Sequence, residues 1–266
     1  MTRFQSLALP IYEELGDLIG QGNVLNNLGA QAYFEGRWDE ALELYRRSKD
    51  AKARTGDSVK AATQSNNEAE ILSDQGHFNE AGALLRDALR VWGAAGYEIG
   101  IALATSNLGR AAARAGRHDE GLALLADAVG RFERIGAAGY VDETRARIAE
   151  GLALAGRARE AREVAAESLV RVRREAETSV LQAQLERMLG WADLLLGDAA
   201  GARSHFTTSL AVARALGASF EIAVTLRAVL RVPGLAPTER EAARQEADEV
   251  LSRLGVIAVA EPELPA

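Results

Sequence analysis

The residue pattern with the most chemical promise is an asparagine that returns every 40 positions. Asn27, Asn67 and Asn107 stand in register, and Asn26, Asn66 and Ser106 precede them. An amide side chain offers both a hydrogen-bond donor and an acceptor. A column of amides can therefore bond backbone laid against it, or stitch neighbouring helices together. The column ends at Arg147 and Met188, so it covers three intervals only. Other chemistry is scarce. The three histidines, His77, His118 and His205, occur without an HExxH pattern, and a metal site needs three or four convergent ligands. The chain has no cysteine, which excludes disulfides, thiolate metal sites and cysteine nucleophiles. Gly93, Gly96 and Gly100 lack the GxGxxG spacing and follow a helical stretch, and neither a G-x4-GK[ST] loop nor a GxSxG elbow occurs. No catalytic residue, metal or cofactor is assigned.

The elements that position the asparagines follow from the same period. The turn Gly36-Arg37-Trp38-Asp39-Glu40-Ala41 is matched by Gly76-His77-Phe78-Asn79-Glu80-Ala81, then by turns opening at Gly116, Gly156 and Gly197. A second glycine column, Gly16, Gly56, Gly96, Gly136 and Gly217, lies between these turns, as expected where helices end in a left-handed residue. It is missing near residue 176, where Glu-Ala-Glu-Thr stands. Each half-period is then one helix. First helices are expected near 18–35, 58–75, 98–115, 138–155 and 178–196; second helices near 38–55, 78–94, 118–135, 158–175 and 199–215. Short turns make each pair antiparallel. Asp39, Asn79 and Asp119 open three second helices, where they can cap or favour the positive end of the helix dipole.

Small residues mark where the helices of a pair meet. Gly29, Ala69, Gly109, Ala149 and Gly190 precede the turn glycines by seven positions, and Ala41, Ala81, Gly121, Ala161 and Ala202 follow twelve later. Tyr45, Leu85, Leu125 and Phe206 project from the same face of the second helix one turn on.

Net charge is −7, so no global basic field draws nucleic acid. The arginine-rich run 157–174 is interleaved with Glu160, Glu163 and Glu167, the pattern of a solvated helix face. No apolar run reaches membrane-span length, and the N-terminal segment carries Glu13, Glu14 and Asp17 rather than a signal-peptide pattern. A cytoplasmic setting, without nucleic acid or membrane as partner, is expected.

Leu25-x2-Leu28-Gly29-x2-Ala32 and Ala41-x3-Tyr45 resemble the L-G and A-x3-aromatic slots of the tetratricopeptide repeat. The W, Y and terminal P of that pattern are absent, Glu68 takes its Leu slot in the second repeat, and Asp193 takes its Tyr slot in the fifth. The resemblance is to the long-period form found in kinesin light chains and in bacterial regulatory ATPases. It implies an all-α, right-handed α–α superhelix of about thirteen helices. The expected divisions are an orphan second helix (1–17), five repeats (18–57, 58–97, 98–137, 138–177, 178–217), a capping helix pair (218–254) and a flexible tail (255–266). It also implies a non-catalytic scaffold for signalling that binds a protein or peptide in its concave groove. In related arrays an Asn before the L-G pair forms a ladder along a bound peptide, which would assign Asn26, Asn27, Asn66, Asn67, Ser106 and Asn107 to the groove. Stitching between helices is the alternative.

The stretches NNLGAQAYFEGRWDEALELYRRSKDAKARTGD and ATSNLGRAAARAG further resemble the C-terminal repeats of multidomain actinobacterial adenylate/guanylate cyclases and AAA-type ATPase regulators. That resemblance implies a regulatory role toward other domains of a parent chain, and the orphan helix implies derivation from something longer. Homo-oligomerisation is a third possibility.

Overall fold

The computed structural model describes residues 2–175 and 179–265. The interrupted glycine column near residue 176 and the repeat boundary at 177/178 lie outside those residues. Among the described residues there are thirteen α-helices and no strand. They are α1 (Thr2–Glu14), α2 (Leu18–Phe34), α3 (Trp38–Arg54), α4 (Ser58–Gln75), α5 (Phe78–Ala95), α6 (Glu98–Arg114), α7 (His118–Arg134), α8 (Ala138–Leu154), α9 (Ala158–Glu175), α10 (Val180–Leu195), α11 (Ala199–Ala215), α12 (Ser219–Val229) and α13 (Pro237–Arg253).

Every glycine of both columns sits at positive φ, for example Gly36 at 72° and Gly76 at 94°, where a Cβ would be strained. This ends each helix within one residue and reverses the chain. The caps differ from the sequence reading. Asp39 and Asp119 lie in the first turn of α3 and α7, while the N-caps Arg37, His77 and Arg117 make no side-chain cap bond. The contribution of Asp39 and Asp119 is to the dipole. The capping side chains are instead Asp17, Asp57, Ser179 and Asp198, which accept from backbone amides of α2, α4, α10 and α11.

Within each pair the small residues meet as the register demands. A Cβ on Gly109 would stand 2.9 Å from the Gly121 carbonyl oxygen, and one on Gly121 would stand 2.7 Å from the Ala113 nitrogen. A Cβ on Gly29 would meet the Tyr45 ring at 2.9 Å, and one on Gly190 would strike the Phe206 ring. Ala41, Ala69, Ala81, Ala149, Ala161 and Ala202 are fully buried.

The pairs stack into two layers. The first helices touch one another across repeats, α4 with α6, α6 with α8, α8 with α10 and α10 with α12, and so form the inner layer. The helices α3, α5, α7, α9 and α11 form the outer one. The solenoid curls until its ends meet. Trp38 of α3 lies 5.2 Å from Phe220 of α12, ring to ring. Leu254 joins one core cluster with Leu25, Trp38, Leu42 and Leu72, against which Phe220, Val250 and Val256 also pack. A second cluster, around Leu185, Leu189, Trp191 and Phe206, holds the later repeats.

The expectation of a flexible tail is corrected by these contacts. Residues 255–265 have no regular secondary structure, yet they are tied down along their length. Ile257 N donates to Gln75 O at 2.8 Å, Gln75 Nε2 donates to Leu254 O at 2.9 Å, and Leu264 packs against the second cluster. Apolar tail residues find apolar surface only because the superhelix brings it to them.

Candidate functional site

The asparagine column divides once it is placed in space. Asn66 and Asn107 are buried on α4 and α6, and Asn107 Nδ2 donates to Asn66 Oδ1 at 2.9 Å. Arg147 of α8 continues the chain: its Nη1 donates to Asn107 Oδ1 at 2.6 Å and to Ser106 Oγ at 2.9 Å. Ser106 Oγ also lies 3.1 Å from Thr144 Oγ1. Asn66, Ser106, Asn107 and Arg147 therefore bond from one inner helix to the next. Asn27 is exposed and Asn67 half-buried, and Asn26 donates to its neighbour Asn27.

A larger site surrounds this column. A cavity of about 230 Å³ opens on the inner layer. Its wall is aromatic: Tyr33 packs edge-on to Phe34 at 5.5 Å and stacks on Trp38 at 5.9 Å, and Trp38 meets Phe220. Phe34 remains 82% exposed at the lip, an unusual place for a phenyl ring. The floor carries Glu70, Asp74, Glu143 and Glu221 against Arg110 and Arg147, so the cavity is acidic in balance.

These charges are held in networks. Arg147 Nη2 reaches Glu143 at 2.6 Å and Glu70 at 3.2 Å. Arg110 and Arg114 both bridge Asp74 and Glu150, at 2.6–3.3 Å. Arg187 pairs with Glu221 at 3.0 Å, and Gln184 donates to the same carboxylate. Burial raises the Glu150 carboxyl, but Arg114, Arg110 and Arg187 outweigh it and hold the group well below the usual carboxylate range. Glu70 goes the other way, pushed up by burial despite Arg147. The Tyr33 hydroxyl is driven above its ordinary range by burial and by the nearby Asp74 and Glu70. Charged groups this buried persist only when paired.

Sequence reasoning missed this cluster, although a signal was there. Glu70, Arg110 and Glu150 share one column of the 40-residue register, and Asp74 and Arg114 share another. Acid and base thus alternate from one inner helix to the next. Two motif departures have the same explanation. Glu68 is buried against Arg46 of α3 at 2.6 Å, and Asp193 pairs with Arg162 of α9 at 2.9 Å. His205 joins them, with Nδ1 2.7 Å from buried Glu186. The arginine run on α9 keeps a solvated face, with Arg162 and Arg173 more than half exposed, while Arg162, Arg171 and Arg173 also reach Asp193, Asp142 and Glu186 on neighbouring helices. Among the described residues, no group of three or more His, Asp or Glu is placed to hold a metal ion, and no helix is long and apolar enough to cross a membrane.

Repeat register, paired helices and a curled inner face define a tetratricopeptide-like helical solenoid. The tetratricopeptide repeat family model matches residues 20–94. No curated protein matches the chain. Two of the solved structures that share the fold illustrate the likeness. One is the Rap conjugation gene regulator of the plasmid pLS20, in complex with the Phr* peptide: TM-score 0.72, 13% identity, covering 88% of this chain and 64% of that one. The other is aspartyl phosphate phosphatase F from Bacillus subtilis: TM-score 0.70, 12% identity, covering 99% of this chain and 68% of that one. The chain thus spans about two thirds of each, and at these identities the likeness is one of fold.

Proposed function

We propose that this chain is a non-catalytic interaction module that holds an extended peptide, or an extended segment of a partner protein, against its inner helix layer. The observation that carries the reading is Phe34, exposed at the lip of an aromatic-walled cavity whose polar groups come from five successive inner helices, α4 to α12. Such convergence of apolar wall and few polar groups is what a binding site requires. Asn27 and Asn67, the members of the asparagine column that keep free surface, would bond the backbone of the same ligand. The pLS20 regulator, solved with a peptide on this fold, supports the class of ligand.

Random-peptide display against the full chain tests it. Selected peptides should bind at least about ten-fold more weakly to Phe34→Ala and Asn67→Ala variants, a loss of about 1.4 kcal/mol. Selection of no peptide, or of peptides indifferent to both substitutions, would sink the reading. If the chain forms part of a longer cyclase or ATPase regulator, as the motif resemblance implies, the same face would contact the parent's other domains. Deleting the array would then change nucleotide turnover.

A further inference from the structure

The inner layer has a second seat, and the chain's own residues 256–264 sit in it. We infer that this seat, along the turn-side rim of the superhelix, takes an extended acidic peptide, and that residues 256–264 are a built-in occupant which such a peptide must displace. The inference rests on the peptide-holding reading above and names its ligand class.

The tail is held as a bound peptide is held, at spaced anchors with backbone free of regular secondary structure between. At its start, the Ile257 amide donates to Gln75 O, a carbonyl in the last turn of α4. Val256 packs into the first core cluster. The tail backbone runs so close to Gly76 that a Cβ there would meet Ala258 N and O at 2.8 Å. The central anchor is charged: Glu261 accepts from Arg227 Nε at 2.8 Å and from Arg231 Nη1 at 3.0 Å, with only 11% of its side chain exposed. Beyond it Pro262 is buried and Leu264 packs on the second cluster. The Ile257 side chain, by contrast, is 69% exposed.

The floor beneath the tail shows that the fit is incomplete. Residues 258–261 roof a small cavity lined by Ser73, Arg114, Arg187, Trp191 and Phe220. Ser73 Oγ and Arg187 Nε are buried there without a hydrogen-bond partner, although both residues are more than nine-tenths buried. The tail offers this floor Ala258, Val259 and Ala260, while the Glu261 carboxylate at its edge is taken by Arg227 and Arg231. Asp74 and Glu150 also line this floor, already paired with Arg114, and Arg187 is paired with Glu221, so what the floor lacks is an acceptor for Ser73 Oγ and Arg187 Nε. Unmet buried donors are costly, so a peptide with an acid for Arg227 and Arg231 and an acceptor side chain for Arg187 and Ser73 fits the seat better than the tail does. The tethered tail competes at high effective concentration, so it lowers the apparent affinity by the fraction of time the seat is empty.

The test uses the full chain, wild type and a Glu261→Arg/Leu264→Asp variant, with a fluorescein-labelled synthetic peptide of residues 255–265. In the variant the Ile257 amide should exchange faster, and the peptide should bind with 1:1 stoichiometry at least about ten-fold more tightly than to wild type. Adding Arg227→Glu to the variant should remove that binding. A peptide bearing Ala258→Asp or Ala260→Asp should outcompete the unmodified one. The inference is overturned if the variant leaves Ile257 protected, if the peptide binds both proteins equally or neither, or if neither aspartate improves binding. Display-selected peptides separate the two readings. If they bind wild type while the tail peptide binds neither protein, peptide holding stands and the tail seat falls. If the tail peptide binds the variant and no foreign peptide binds at all, the seat remains as an internal closure, while its use by an external ligand falls with the peptide-holding reading.

Discussion

The outer and inner helix layers carry the same period but obey different rules. Outer helices bury a narrow stripe. In α5 it is Ala81, Leu85, Ala88 and Trp92, and in α7 it is Gly121, Leu125, Ala128 and Phe132. Their opposite faces are charged and exposed, as in any amphipathic surface helix. Apart from Lys52 of α3, the polar groups they bury are modest: Ser48 Oγ donates to Gly22 O at 2.7 Å and Ser209 Oγ to Ala183 O at 2.8 Å, capping the close approach within a pair. Inner helices are packed on two sides, so they bury far more of their circumference and much of it is polar. Asn66, Glu68, Asp74, Asn107, Asp142, Arg147, Glu186, Arg187 and Glu221 are all buried inner-layer residues. Apolar burial drives the outer layer onto the inner one, while the inner layer is stitched by charge-assisted hydrogen bonds along the superhelix. The stitched layer is also the one that lines the proposed binding cavity.

The largest effect is expected where the stitching is densest. Arg114→Ala leaves Asp74 and Glu150 short of a buried partner and should cost about 3–5 kcal/mol, read as a drop in Tm. An unchanged Tm would mean that the inner network is ornamental and that the two layers differ in appearance only. Gly109→Leu attacks the contact between layers, where the opposing atoms are backbone. It should cost roughly 3 kcal/mol, at the upper end of overpacking effects. Ser48→Ala removes one neutral hydrogen bond and should cost about 1 kcal/mol. Arg157→Ala breaks only an exposed pair with Glu160 on the outer layer and should leave Tm unmoved.

The pH dependence sharpens the same contrast. Glu150 is lowered in the folded chain, so its contribution is present above the unfolded carboxyl value and is lost as pH falls through the folded one. Glu70 is raised; its contribution is present below the unfolded value and is lost as pH rises through the folded one. Glu150→Gln should therefore lower Tm at pH 7 and lose less on acidification than wild type. Glu70→Gln should keep or raise the Tm at pH 7. Acid titrations of the two variants followed by circular dichroism check the signs, and a common slope would remove the distinction.

The sequence was most legible where one residue type has one physical job. Glycine at positive φ is the clearest case, which is why helix ends from Gly16 to Gly217 could be read directly. Small residues at Gly109 and Gly121 were equally plain, since close helix approach admits little else. The proposed binding face was partly legible. The asparagine column stood out, but an amide serves a ligand and a neighbouring helix equally well, and only placement showed Asn107 bonded to Asn66 and Arg147. The aromatic wall was hidden because Tyr33 and Trp38 lie nearly two hundred residues from Phe220. The tail gave no signal, being short, irregular and rich in alanine, valine and proline.

By itself the sequence determined the helices, their antiparallel pairing and the contacts inside each pair. These are local consequences of a 40-residue period, set by turn glycines and by which side chains can pack one turn apart. Only the tertiary structure decided how far the array curls, that Trp38 meets Phe220, that acid and base columns close into networks, and that Glu261 reaches Arg227 and Arg231. Those outcomes depend on the small rotation each pair adds to the last. That rotation accumulates over the whole chain and is written in no single repeat.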